Sequence, residues 1–230
     1  MAKMSLGTMI LKMSEGLGTT CGIFFLTLLF SLPLGLVVTL LRRSRLGVVR
    51  GITKVYISIM RGTPLMLQLM VVYYGPFYLS KWISKTFDVT FRLRWSGDVL
   101  VPIIIGFVLN YAAYFAEIYR SGIQSIPRGQ YEAAEVLGYS RVQTFMKIVL
   151  PQVIKRILPA MGNEIITLVK DTSLAFAIGV AEMFSTAKAL VASQVSMLPF
   201  VFAAVFYWVF NFVVEVVLGR VEKKMGYYHD

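Results

Sequence analysis

An all-α, polytopic membrane protein with about five transmembrane helices is the fold class this sequence predicts, and three observations predict it. The first is composition. Of 230 residues, 57% are hydrophobic and 15% charged, with a mean hydropathy of +0.70, whereas soluble domains carry about 25% charge. The second is a set of long apolar runs, each near the roughly 20 residues that cross a bilayer as a helix. The third is that basic residues gather between alternate runs. A formal charge of +11 then reads as basic loops on one membrane face, not as a nucleic-acid footprint. The length suits one domain over residues 1–230.

The runs follow in order. Gly18 to Leu41 is uncharged, and its Pro33 is tolerable because neighbouring helices satisfy the freed carbonyl. Thr63 to Ser80 is the second run, extended backward by Val55 to Met60. Val99 to Tyr119 is the third, broken only by Glu117. Ile157 to Ala181 is the fourth and carries Glu164, Lys170 and Asp171. Leu198 to Gly219 is the fifth and carries Glu215. The first run is too long for a signal-peptide core and has no small-residue cleavage site, so it reads as a retained span.

Fourteen basic residues follow runs one, three and five, from Arg42 to Lys54, Arg120 to Arg156 and Arg220 to Lys224. Seven lie on the other side: Lys3, Lys12, Lys81, Lys85, Arg92, Arg94 and Lys188. The positive-inside rule puts the fourteen in the cytoplasm, the N-terminus outside and the C-terminus cytoplasmic. The outer segment Lys81 to Asp98 carries Trp82, Phe87, Phe91 and Trp95. It reads as an interfacial loop or short helix with aromatic anchors, or as a docking surface for an external protein. One Cys (Cys21) and one His (His229) make neither a disulfide framework nor a Cys/His metal site.

The cytoplasmic segment, about residues 121–151, has its own local grammar. Pro127 suits a helix start. Gln130 to Leu137 are good helix formers, and Gly138 is suited to end that helix in a left-handed conformation. Ser140 and Gln143 have the spacing of a capping box. The expectation is a short helix, a glycine turn and a second helix that re-enters the membrane. Such a helix, lying on the cytoplasmic face, is suited to transmit a push from a partner.

Glu132-Ala133-Ala134, Gly138, and Ile148-x-Leu150-Pro151 at their spacing resemble the EAA signature of the membrane permeases of bacterial ATP-binding-cassette importers. Arg61-Gly62-Thr63-Pro64-Leu65 with Gln68, Ala112 to Glu117, and Lys170-Asp171-Thr172-Ser173-Leu174 are similar to segments of the polar amino acid permeases within that family. The likeness covers about Gly18 to Gly219; the outer segment is longer than is usual there. It implies an importer-type permease fold in the bacterial cytoplasmic (inner) membrane. It implies that Glu132, Ala133, Ala134 and Gly138 couple the chain to ATPase subunits. It also implies a second permease, the same chain or another, an extracytoplasmic substrate-binding protein, and a polar amino acid as cargo. ATP and magnesium would be bound by the ATPase, with no cofactor, metal or catalytic residue in this chain. The absence of a G-x-x-x-x-G-K-[ST] loop agrees, since that loop cradles phosphates.

Charges inside a bilayer cost about 2.5–3.5 kcal/mol even on mild scales, so they call for a partner or a function. Asn163, Glu164, Thr167, Lys170 and Asp171 fall within about a third of a helix circumference. Asn110, Tyr114 and Glu117 share a face of run three. Facing stripes of this kind suit a zwitterion. Glu164, Asp171 and Glu117 offer anions for an ammonium, and Asn110, Lys170, Thr172 and Ser173 offer donors for a carboxylate. For Lys170 and Asp171, interhelical pairing and substrate contact stay open. Glu117 reads as a structural partner of Arg120 or Arg61, Arg61 as snorkelling to the interface, and Asn211 and Glu215 as packing or dimer contacts. The alternative function is an ion-gradient-driven secondary amino acid transporter; five runs without an internal repeat argue against it. A membrane enzyme lacks a nucleophile–base set.

Overall fold

The computed structural model describes residues 4–95, 97 and 99–225; Lys3, Asp98 and His229 lie outside the described residues. Helix α1 (Leu6–Arg42) is capped by Ser5, whose Oγ accepts from the Thr8 amide. It begins twelve residues before the expected span. Its buried face repeats every three or four residues, at Met13, Gly16, Thr20, Phe24, Thr27, Ser31, Gly35 and Val38, the spacing of one helical side. Gly35 permits close packing: a Cβ there would sit 2.9 Å from Phe115 Cβ.

The second run is not one straight span. Helices α2 (Gly47–Gly62) and α3 (Leu65–Phe87) meet at a bend of 116°. Pro64 has no N–H and pushes Thr63 out of the helical region, to φ −123° and ψ 150°. The carbonyls freed by such a break cost several kcal/mol each in hydrocarbon. Here two amides meet them. Gln68 Nε2 donates to Met60 O at 2.9 Å and Thr63 O at 3.0 Å, and Asn110 Nδ2 donates to Met60 O at 3.0 Å and Gln68 Oε1 at 2.9 Å.

The expected outer element is partly helix and partly strap. Lys81 to Phe87 finish α3, and Asp88 turns the chain at φ 49°. The following loop is tied back by Ser84, whose Oγ donates to Phe91 O and accepts from Phe91 N, and by Trp95 Nε1 donating to Val72 O.

Helix α4 (Leu100–Gln124) is the buried axis. Ile103, Phe107, Tyr111 and Phe115 are within 2% of full burial and pack with Ile23 and Phe24 of α1, Leu69 of α3 and Leu168 and Val169 further on. Helix α5 (Arg128–Val136) leads to α6 (Arg141–Thr144). A π-turn over Phe145–Val149 then joins α7 (Leu150–Asp171). Pro151 lacks the N–H that would bond Lys147 O, and the Leu150 amide bonds Phe145 O instead.

The fourth run therefore starts earlier than Ile157. It also ends differently: Thr172–Ile178 is a 3₁₀ segment closed by Gly179 at φ 86°. After a 57° bend, α8 (Met183–Gln194) follows, an element the hydropathy reading did not separate. Helix α9 (Leu198–Met225) is the last described element. Among the described residues, three helices are long and apolar enough to cross a membrane, or up to five if each bent pair is one span. No strand occurs among the described residues.

Candidate functional site

Two regions carry the residues singled out in the sequence. The first is α5 and its flanks. Pro127 is the N-cap of α5, and Leu137 ends it. Gly138 takes φ 76°, with its amide bonded to Glu135 O at 2.9 Å and the Tyr139 amide to Ala134 O at 3.0 Å. Ser140 and Gln143 form both bonds of a capping box. The short helix, glycine turn and capped helix are thus all present.

Glu132 and Ala133 are exposed, and no ion pair holds Glu132 among the described residues. Ala134 is 1% exposed and faces inward. Beyond it, Val136 is 88%, Leu137 72% and Val142 73% exposed. Together they give the loop an exposed apolar edge. Helix α5 packs against the π-turn, whose Val149 joins Ile126, Val153 and Ile157 in a small core that also takes Tyr119 and Ile123 of α4. The loop thus rests on a cluster joining the end of α4 to the start of α7.

The second region is the polar side of α7. Asn163, Thr167 and Lys170 are exposed, and Glu164 and Asp171 are half-buried. Tyr111 Oη donates to Asp171 Oδ2 at 2.8 Å. The Tyr114 ring lies 6.3 Å from that of Tyr111 and carries the Arg61 guanidinium 5.4 Å from its centroid. Arg61 also interacts electrostatically with Glu164. The structure therefore gathers Tyr114, Glu164 and Asp171, and adds Arg61 and Tyr111. Arg61 lies over the Tyr114 ring and shares a pocket with Arg42, Lys54 and Glu117.

Other members of the stripe sit apart. Asn110 is 4% exposed, its amide engaged in the α2–α3 break. Thr172 is fully buried and donates to Val169 O at 2.7 Å; Ser173 donates to Lys170 O at 2.8 Å. Lys170 forms no ion pair with Glu164 or any other described carboxylate. Glu117 pairs with Arg120, as its spacing suggests, and with Arg42 rather than Arg61. Asn211 Oδ1 is buried without a hydrogen-bond partner, and Glu215 is exposed on α9.

One polar group escaped the sequence reading altogether. Glu182 is fully buried and caps α8, accepting from Phe184 N at 2.6 Å, Ser185 N at 2.7 Å and Tyr207 Oη at 3.1 Å. Its only sequence signal is a Glu before a helical stretch with Ser three residues on. No three metal-ligating groups converge among the described residues.

Residues 31–227 match the family described as binding-protein-dependent transport system inner membrane component. The chain is 33% identical over 218 residues to the L-cystine transport system permease protein TcyB of Bacillus subtilis, covering 94% of this chain and 87% of that one. It is 36% identical over 215 residues to the probable amino-acid ABC transporter permease protein YckA of the same organism, with 93% and 89% covered. Among solved structures, an amino acid ABC transporter with histidines superposes with a TM-score of 0.80 at 27% identity, covering 97% of this chain and 100% of the other. The MetNI methionine ABC transporter in an inward-facing form shares the fold, at a TM-score of 0.66 and 17% identity over 96% and 99%.

Proposed function

Because the chain belongs to the family of binding-protein-dependent transport system inner membrane components, we propose that it is the membrane-spanning subunit of an ATP-driven importer of polar amino acids. It is a transport component and not an enzyme. Residues 1–230 act as one permease domain in the bacterial cytoplasmic membrane. The basic end that bears α5 faces the cytoplasm, and the N-terminus faces outward. The observation that carries the reading is α5 itself: a rigid, exposed helix with an apolar edge, closed by Gly138 and seated on the core between α4 and α7.

In the cycle, ATPase subunits hold ATP and magnesium and receive Glu132, Ala133, Ala134 and Gly138. Closure of the ATPases displaces α5, and the Ile126–Val149–Val153–Ile157 cluster passes that displacement to α4 and α7. Helix α7 carries the polar stripe, so the same movement re-aims Glu164, Lys170 and Asp171. A second permease completes the pathway, and an extracytoplasmic binding protein delivers cargo.

Within the pathway, Glu164 and Asp171 receive the ammonium, with Tyr111 orienting Asp171. Lys170 and Ser173 face the carboxylate, with Tyr114 beside them. Asn110 and Thr172 shape the backbone behind. That Lys170 forms no ion pair with a described carboxylate supports substrate contact over interhelical pairing.

Reconstitution into proteoliposomes tests the function. Uptake should require the ATPase subunit and ATP. Uptake driven by a sodium or proton gradient alone would replace this reading with the secondary-transporter one, against which the relatives named as ABC transporter permeases already speak.

A further inference from the structure

The α5-bearing end also holds a cleft that the transport reading does not use. It lies where α1 and α4 end beside the middle of α2, and Arg42, Arg43, Lys54 and Arg120 line it with Ile126 and Tyr131. No carboxylate is in the lining. Glu117, just behind, binds both Arg42 and Arg120, so one negative charge is divided between two guanidiniums. Arg43 and Lys54 are exposed and form no ion pair with any described carboxylate. Four cations around one cleft, with one carboxylate behind, are complementary to an anion.

The rim says which anion. Leu40 and Leu41, in the turn before Arg42, are 62% and 44% exposed. On α1, Leu29, Leu36 and Leu40 lead to Arg43 at steps of seven, four and three, and all three leucines are more than half exposed, so they form one apolar stripe that ends at the cleft. A soluble phosphate has no use for an apolar track, whereas a phospholipid needs both parts. Basic pockets between helices at a membrane surface recognise lipid headgroups in this way.

We propose that this cleft binds the phosphate-bearing headgroup of an anionic phospholipid, with an acyl chain lying along the apolar stripe of α1. The bound lipid bridges α1, α2 and α4 beside Tyr131 of α5. The proposal rests on the membrane reading above but on no step of the transport cycle, so its test reads lipid binding and not uptake.

The test is native mass spectrometry of the full chain, alone and with its ATPase, titrated with phosphatidylglycerol or phosphatidylcholine in detergent. Phosphatidylglycerol should bind in preference to phosphatidylcholine. Arg43→Gln with Lys54→Gln, both at exposed positions, should weaken it about thirtyfold, from roughly fivefold per charge, and Lys54→Arg should retain it. Equal retention of the two lipids, unchanged binding in the double variant, or displacement by free glycerol phosphate at millimolar concentration would each overturn the proposal. The last of these would make the site one for a soluble phosphate.

Discussion

Gly138 offers the cleanest separation of backbone conformation from contact. Its φ is 76°, and a Cβ built there would meet nothing within 4 Å. Within the chain, any effect of substitution therefore comes from the left-handed backbone, which costs an L-residue about 1–2 kcal/mol. Asn tolerates that region better than Ala, and β-branched Val tolerates it worst. At about 1.4 kcal/mol per tenfold, Gly138→Val should shift the turn away from its native form by about five- to thirtyfold. Gly138→Ala should fall between Val and Asn, and Gly138→Asn near wild type. Helix α5 buries only Ala134, so the melting temperature of the purified chain should barely move in any of the three. The assay is co-purification of the ATPase and ATP-driven uptake in proteoliposomes. Both should decline in the order Asn, Ala, Val. Equal losses for Asn and Val would show that side-chain bulk against the ATPase matters and not the turn; no loss for Val would refute the role of the turn in coupling.

Three further outcomes follow from the polar groups. Asn110→Leu should destabilise the chain by about 1–2 kcal/mol in denaturant titrations from detergent, because Met60 O and Gln68 lose a buried donor; combined with Gln68→Leu, the losses should be strongly non-additive. Asp171→Asn should lower uptake while ATPase co-purification is unchanged, and Tyr111→Phe, which removes only the orienting bond, should lower it less. Glu182→Ala should cost about 1–2 kcal/mol from the lost cap of α8, and Glu182→Gln, which keeps an acceptor for the Phe184 or Ser185 amide, should recover part of it in the same titration.

The elements that were legible in the sequence are those whose causes are local. Gly138, Ser140 and Gln143 specify a turn and a cap within a few residues, and the structure has both. Apolar runs locate the central parts of α1, α4 and α9. The break at Thr63-Pro64 is written in the sequence as a helix-start signal, yet hydropathy averages across it. The residues that make the break tenable, Gln68 and Asn110, are 42 positions apart. The spacing of Asn110, Tyr114 and Glu117 puts them on one arc of α4, but spacing carries no information on what covers each level of that arc. Arg42 and Glu117 are separated by 75 positions, and counting basic residues by loop treats Arg42 only as surface charge. Glu182 fell between two runs, and nothing in a hydropathy profile shows that a carboxylate there is wholly enclosed.

That enclosed carboxylate bears on selectivity. The start of a helix at a break within a span is an inviting seat for a negatively charged group, since its first amides point outward without partners. At α8 the seat is already taken, by a side chain of the same polypeptide pinned through Tyr207 to α9. A migrating carboxylate would have to evict Glu182 to lodge there. The resident acid thus denies that seat to an acidic passenger.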